Sequence, residues 1–200
     1  MSDLFNEKAK NWDSNERAKR LSAAVGSSIV GQVPLQAQMQ VMDFGAGTGL
    51  ISAQVAPHVK QITAVDISEA MLEKLAAKPE LHGKVEIVCR NIIDNPIDTK
   101  FDLIISAMAM HHVEDTTKLV QRFAQQLHPG GTVALADLDK EEGTFHPPNT
   151  DGVFHFGFAR DELQMLFAEN GFKNIGFSTA HSIDKEDRSY PVFLLVASKA

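Results

Sequence analysis

An aspartate and three alternating glycines stand together in Asp43-Phe44-Gly45-Ala46-Gly47-Thr48-Gly49, directly after the apolar pair Val41-Met42 and ahead of a short helical pattern over 50–56 that Pro57 stops. Glycines at alternate positions let the backbone turn sharply and approach a ligand closely, and the start of a helix presents N–H groups with no partner inside the helix. The pattern predicts a small molecule lying across this turn. Asp66 ends the next strand pattern about 20 residues further on, where a carboxylate can accept hydrogen bonds from both hydroxyls of a ribose. Strand, glycines, helix, strand and acid fall in register, which separates this segment from an ordinary tight turn.

The glycine spacing also bears on the ligand. A pyrophosphate fingerprint, G-x-G-x-x-G, wants glycine or alanine where this chain has Leu50. Asp43 would repel a diphosphate and attract an ammonium, so the charge favours a sulfonium amino acid over a dinucleotide. Two further groups could carry chemistry. His111 and His112 follow the fourth strand pattern, at the carboxyl edge where ligands collect in such sheets; one of them could equally cap the next segment or pack under a loop. His146 and His155 flank Asp151, but their spacing matches no common ligand pattern; they read as loop residues and no metal is expected. Trp12, near Phe5, either closes over a substrate or anchors a helix on the sheet edge.

The elements that must hold these residues alternate. Asp13 and Glu16 read as an N-cap and its capping-box partner for a leading helix, with Leu21, Val25 and Ile29 on one face, ending by Pro34. Strand patterns at 41–44, 61–65, 85–88, 101–106 and 132–138 alternate with helices capped by Ser68 and Asp115, the second stopped by Pro129-Gly130-Gly131. The polar stretch 139–157 reads as a possible lid. Leu163, Leu166 and Phe167 mark a last helix, and 175–183 and 192–197 two strands joined by the charged turn 184–188. The expected fold is α/β: a single three-layer Rossmann-like domain over 1–200, its mostly parallel seven-stranded sheet closed by a C-terminal antiparallel hairpin. Residues 1–33 form a helical cap and 40–138 the ligand-binding core.

Bulk properties agree with one domain. The chain has 200 residues, 44% hydrophobic and 22% charged, which suits a buried core. A net charge of -7 without a basic patch disfavours duplex nucleic acid as a partner. The single cysteine, Cys89, excludes an intrachain disulfide and is expected to be a buried strand residue. Met1-Ser2-Asp3 opens no signal-peptide pattern and no run approaches a membrane span, so a cytoplasmic protein is expected.

Three segments together resemble the class I S-adenosylmethionine-dependent methyltransferases, in particular the small-molecule branch related to ubiquinone and menaquinone C-methyltransferases. They are Val41 through Gly49, Ala64-Val65-Asp66-Ile67-Ser68 with Met71-Leu72, and Phe101-Asp102-Leu103-Ile104-Ile105-Ser106 through His111-His112; Leu127-His128-Pro129-Gly130-Gly131 is similar to the turn before that family's fifth strand. The resemblance implies S-adenosylmethionine as cofactor, with Asp43, Gly45, Ala46 and Gly47 around it, Asp66 on the ribose, Ile67 on the adenine, and Asn91, Ile92 and Ala107 completing the set. Asn91 stands where many relatives have an aspartate, and its carbonyl can still accept from the adenine amino group. It further implies methyl transfer to a small-molecule acceptor, for which Trp12 and His111 are the contacts that their own positions suggest. Transfer from a sulfonium is an in-line displacement that alignment alone can drive, with His112 as base for an acceptor that must lose a proton. Ser106-Ala107-Met108-Ala109 replaces the Asn-Pro-Pro-Tyr of the nucleobase and amide N-methylating branches, which points away from those substrates. The alternatives are a non-catalytic binding or regulatory protein on the same fold and, less favoured by Leu50 and Asp43, a nicotinamide oxidoreductase.

Overall fold

The computed structural model describes residues 4–185 and 187–200. The readings of Met1-Ser2-Asp3 and of Glu186 in the hairpin turn lie outside the described residues. The chain runs through α1 (Leu4–Ala9), α2 (Glu16–Gln32), β1 (Gln40–Phe44), α3 (Ser52–Val55), β2 (Gln61–Asp66), α4 (Glu69–Ala76) and β3 (Val85–Cys89). It continues through β4 (Phe101–Ala107), α5 (Thr116–Gln126), β5 (Leu127–Leu138), α6 (Arg160–Glu169), β6 (Phe172–Lys185) and β7 (Arg188–Lys199). The seven strands form one sheet in the order β3-β2-β1-β4-β5-β7-β6. Pairs among β1 to β5 are parallel, and β7 is antiparallel to both β5 and β6, giving the expected fold class.

Strand alternation builds the layers. Val41, Leu103, Ile105, Ala134 and Leu194 face one core, which Val25 and Ile29 of α2 and Leu72 and Leu75 of α4 cover. Met42, Ile104, Val133, Leu135 and Phe193 face the other, covered by Leu119 and Phe123 of α5 and Phe167 of α6. The sheet is thus apolar on both faces, which explains the near-continuous apolar runs of its inner strands.

Four local readings need correction. The N-cap of α2 is Asn15, whose side chain accepts from the N–H groups of Arg17 and Ala18; Asp13 instead accepts from the Thr48 hydroxyl and pairs with Lys78 at 2.9 Å. The helix after the glycine turn is a single turn, Ser52–Val55, continued by a 3-10 turn at Ala56–His58. Pro129-Gly130-Gly131 does not end a helix: α5 stops at Gln126, Leu127 already pairs with Phe101, and the chain bulges before Thr132 joins Leu103. Cys89 is exposed, at the end of β3, one of the sheet's two edge strands. Among the described residues, no helix is long and apolar enough to cross a membrane.

Candidate active site

The sheet order reverses at β1, with β2 on one side and β4 on the other, so the connections leaving their carboxyl ends part and open a crevice. A cavity of about 590 Å³ occupies it, within the usual range of small-molecule sites. Its floor is the glycine turn, which is held against β2: Gly45 and Ala46 donate to the Val65 carbonyl at 2.9 and 3.0 Å, and Gly47 donates to Asp66 Oδ2 at 2.8 Å. The other carboxylate oxygen of Asp66 accepts from the Ser68 N–H at 2.9 Å. One side chain therefore fixes both the turn and the end of β2.

Glycine is needed here for two different reasons. Gly45 (φ 69°) lies against Ala109, whose Cβ would be 2.4 Å from an added Cβ. Gly47 (φ 54°) has no atom beyond its own chain neighbours within 4 Å of where a Cβ would stand, and it lines the cavity. The space left by its missing side chain belongs to the cavity, as in a cradle where ligand meets backbone.

Asp43 is buried and receives the Ser52 hydroxyl at 2.6 Å. Burial pushes its carboxyl up to about 7; the Ser52 hydrogen bond pulls it partly back, and the Asp66 charge adds to the rise. Ala107 also lines the cavity, and the next residue, Met108, holds a left-handed backbone (φ 56°) while donating to the Ala136 carbonyl at 2.8 Å. A non-glycine residue in that region stores strain of about 1–3 kcal/mol, and this one lies on the cavity wall.

Of the other expected residues, Ile67 is 66% exposed at the cavity edge and Asn91 lines it, with Asn91 Oδ1 accepting from Ile93 and Nδ2 donating to Asp94. Ile92 does not line the cavity. It is fully buried in the core layer under α5, and the chain turning out of β3 presents its neighbours Asn91 and Ile93 instead. Trp12 lines the cavity from a 3-10 turn above the glycines, edge-on to Phe5, which in turn meets the His112 ring edge-on at 5.2 Å. The bonds of Asp13 to Thr48 and Lys78 tie this N-terminal segment down over the glycine turn.

Opposite the glycines, three imidazoles converge. His111 is buried, with Nδ1 2.7 Å from Asp137 Oδ1 and its backbone N–H donating to Oδ2 at 3.1 Å. The Nδ1 of His112 donates to the Gly152 carbonyl at 2.6 Å. His146 comes from the 139–157 segment and sets its Nε2 3.3 Å from Nε2 of His111. Burial, then the adjacent His111, pushes the His112 and His146 rings down to about 4, so both are neutral at pH 7. The segment expected as a lid is tied at several points, with Phe154 and His155 donating to the His111 carbonyl and Lys185 to the Phe145 carbonyl. Sequence reading left both His146 and His155 as loop residues; His146 lines the cavity, while His155 Nε2 turns to the Val113 carbonyl. It also passed over Asp94, Asp137 and Phe145. A lone acid within the apolar run of β5 was the available signal for Asp137.

Residues 42–135 match the family model described as a methyltransferase domain. An uncharacterized methyltransferase of Schizosaccharomyces pombe is 32% identical over 164 residues, 74% of this chain; the chain spans only 56% of that relative. The O-methyltransferase ResE of Aspergillus sclerotiorum is 31% identical over 198 residues, 92% of this chain and 69% of that one. The chain belongs to the class I S-adenosylmethionine-dependent methyltransferases. The fold of this methyltransferase agrees: a Haloferax volcanii methyltransferase solved in complex with a methyltransferase activator superposes with a TM-score of 0.81 at 16% identity, covering 100% of this chain and 99% of that one. S-adenosylmethionine is the cofactor, and the site fits it. The Gly47 cradle admits ligand against backbone, and the carboxyl groups of Asp43 and Asp66 adjoin the glycine turn, which suits a sulfonium amino acid and opposes a diphosphate.

Proposed function

We propose that this methyltransferase carries the methyl group of S-adenosylmethionine to a small-molecule acceptor seated against His112. The observation that supports it is that one cavity runs from Gly47 and Asp66 to the imidazoles. The cofactor supplies a methyl group already activated by its sulfonium. Asp66 holds the ribose hydroxyls, Asp43 the ammonium, and Gly45, Ala46 and Gly47 the backbone contacts, with Ile67 against the adenine and Asn91 accepting from its amino group. Trp12 and His111 wall the acceptor's place. His112 gives its Nδ1–H to Gly152, so its Nε2 lone pair faces the cavity and takes the proton that the acceptor loses as the new bond to the methyl carbon forms.

Calorimetry tests the donor side: S-adenosylmethionine and its demethylated product should both bind with micromolar affinity, and failure of both ends the proposal. Gly47→Ala should weaken both by tenfold or more while costing the fold only about 1–2 kcal/mol of backbone strain. Label passing from methyl-labelled cofactor to a component of a metabolite extract tests the acceptor side. Binding without transfer to any acceptor would instead indicate a non-catalytic protein.

Asp43 makes the affinity pH-dependent. Its carboxyl holds a proton up to about pH 7 in the free protein, and pairing with an ammonium requires that proton to leave. Cofactor affinity should therefore rise about tenfold per pH unit between about pH 5 and 7, and Asp43→Asn should abolish the slope. The free fold behaves oppositely: a carboxyl whose pKa is raised on folding stabilises most below its unfolded value, and that contribution is lost as pH climbs to about 7. A flat affinity over this window would remove Asp43 from the ammonium.

A further inference from the structure

We infer that His111, His112 and His146 form a divalent metal site, of the zinc type, whose open position faces the acceptor end of the cavity. One nitrogen from each ring lies within 4.8 Å of the others, and all three residues line the cavity. Tetrahedral zinc holds imidazole nitrogens at about 2.0–2.1 Å, which places neighbouring ligand atoms about 3.3–3.4 Å apart. The Nε2 atoms of His111 and His146 already stand 3.3 Å apart. Two imidazole nitrogens at that distance share one proton, and a metal ion would take its place.

The outer partners match as well. Nδ1 of His111 meets a buried carboxylate, Asp137, and Nδ1 of His112 meets the Gly152 carbonyl, so both rings turn Nε2 inward. A carboxylate or carbonyl behind a ligating imidazole fixes ring orientation and raises its basicity. Three histidines with one open position is the arrangement of a catalytic rather than a structural zinc site. The ligands come from two places remote in sequence, the turn after β4 and the 139–157 segment, so a metal would join that segment to the sheet.

This rests on the methyl-transfer reading only for what the open position does: it selects an acceptor hydroxyl. The hydroxyl oxygen coordinates there and its proton passes to water. The oxygen then bonds to the methyl carbon as the carbon–sulfur bond breaks, leaving a methyl ether and a neutral thioether. His112 then acts through the ion instead of taking the proton itself.

Chelator-treated protein titrated with Co²⁺ should bind one ion per chain with the visible absorption of tetrahedral cobalt, and Zn²⁺ should displace it. His146→Ala should weaken Co²⁺ binding more than the roughly 10–100-fold typical of losing an outer-shell partner, while His155→Ala leaves it unchanged. His112→Asn gives the same readout should the His146 variant not fold. Absence of saturable Co²⁺ binding, or binding in His146→Ala equal to the parent, overturns the site. Calorimetry with S-adenosylmethionine on the same samples separates the two readings: cofactor binding without cobalt binding rejects only the metal, and cobalt binding without cofactor binding rejects only the methyl-transfer reading.

Discussion

Asp66→Ala should weaken S-adenosylmethionine binding by about 1.5–3 kcal/mol, roughly 10–150-fold, the range for hydrogen bonds to a charged group. The carboxylate does two things at once. It accepts from Gly47 and Ser68, setting the distance between the glycine turn and the end of β2, and it lines the cavity in which we propose it holds the ribose. Asp66→Asn separates these roles, since its amide retains an acceptor for one backbone N–H but presents a donor in place of the second carboxylate oxygen. The adenosyl moiety alone should lose affinity in parallel with the whole cofactor, because the ribose is common to both. Calorimetry with S-adenosylmethionine and with adenosine measures this. Equal affinity in the parent and Asp66→Ala for the cofactor would remove Asp66 from the ribose.

The glycine turn and the acid that faces it were legible in the sequence because they are local. Strand, glycine turn, single-turn helix and acid-ended strand occupy one stretch from Gln40 to Asp66, and each residue's conformational role follows from its neighbours. The mostly parallel pairing and the closing hairpin were legible for a related reason: alternating strands and helices imply parallel pairing with crossovers, and two long C-terminal strands close in sequence imply a hairpin, whereas the insertion of β7 between β5 and β6 was not read. Ile92 shows the limit of positional transfer. One residue along a turn separates a cavity wall from a core layer, and only the backbone path decides which side chain faces where.

The acceptor half was hidden because long-range contacts assemble it. Nothing in the spacing of His111-His112 and His146 announces that a segment without regular periodicity folds back to set two ring nitrogens 3.3 Å apart. Asp13 misled for the opposite reason. Its offset to Glu16 satisfies a capping box, but Asn15 lies nearer the helix start and takes the cap, while Asp13 finds Thr48 and Lys78. Local competition between two good caps cannot be settled without the tertiary partner of one of them.

Asp137→Ala should destabilise the protein by about 3–5 kcal/mol, because it removes a buried acceptor that three donors share. Asp137 is fully buried on β5, and its two oxygens serve the His111 ring, the His111 N–H and the Leu138 N–H. Truncation strands three donors, each costing about 1–3 kcal/mol unless water reaches it. Asp137→Asn should cost less, because its carbonyl still satisfies part of the set. Denaturant unfolding of the three proteins measures the losses, and a change below about 1 kcal/mol in Asp137→Ala would show that the acid is dispensable to the core. The damage should also be directional. Phe154 and His155 donate to the His111 carbonyl, so loosening His111 releases the segment behind it. The glycine turn, held by Val65 and Asp66, shares none of these bonds. Amide exchange should therefore accelerate at Phe154 and His155 while Gly45 and Gly47 keep their protection, and the variant should still bind S-adenosylmethionine wherever it remains folded.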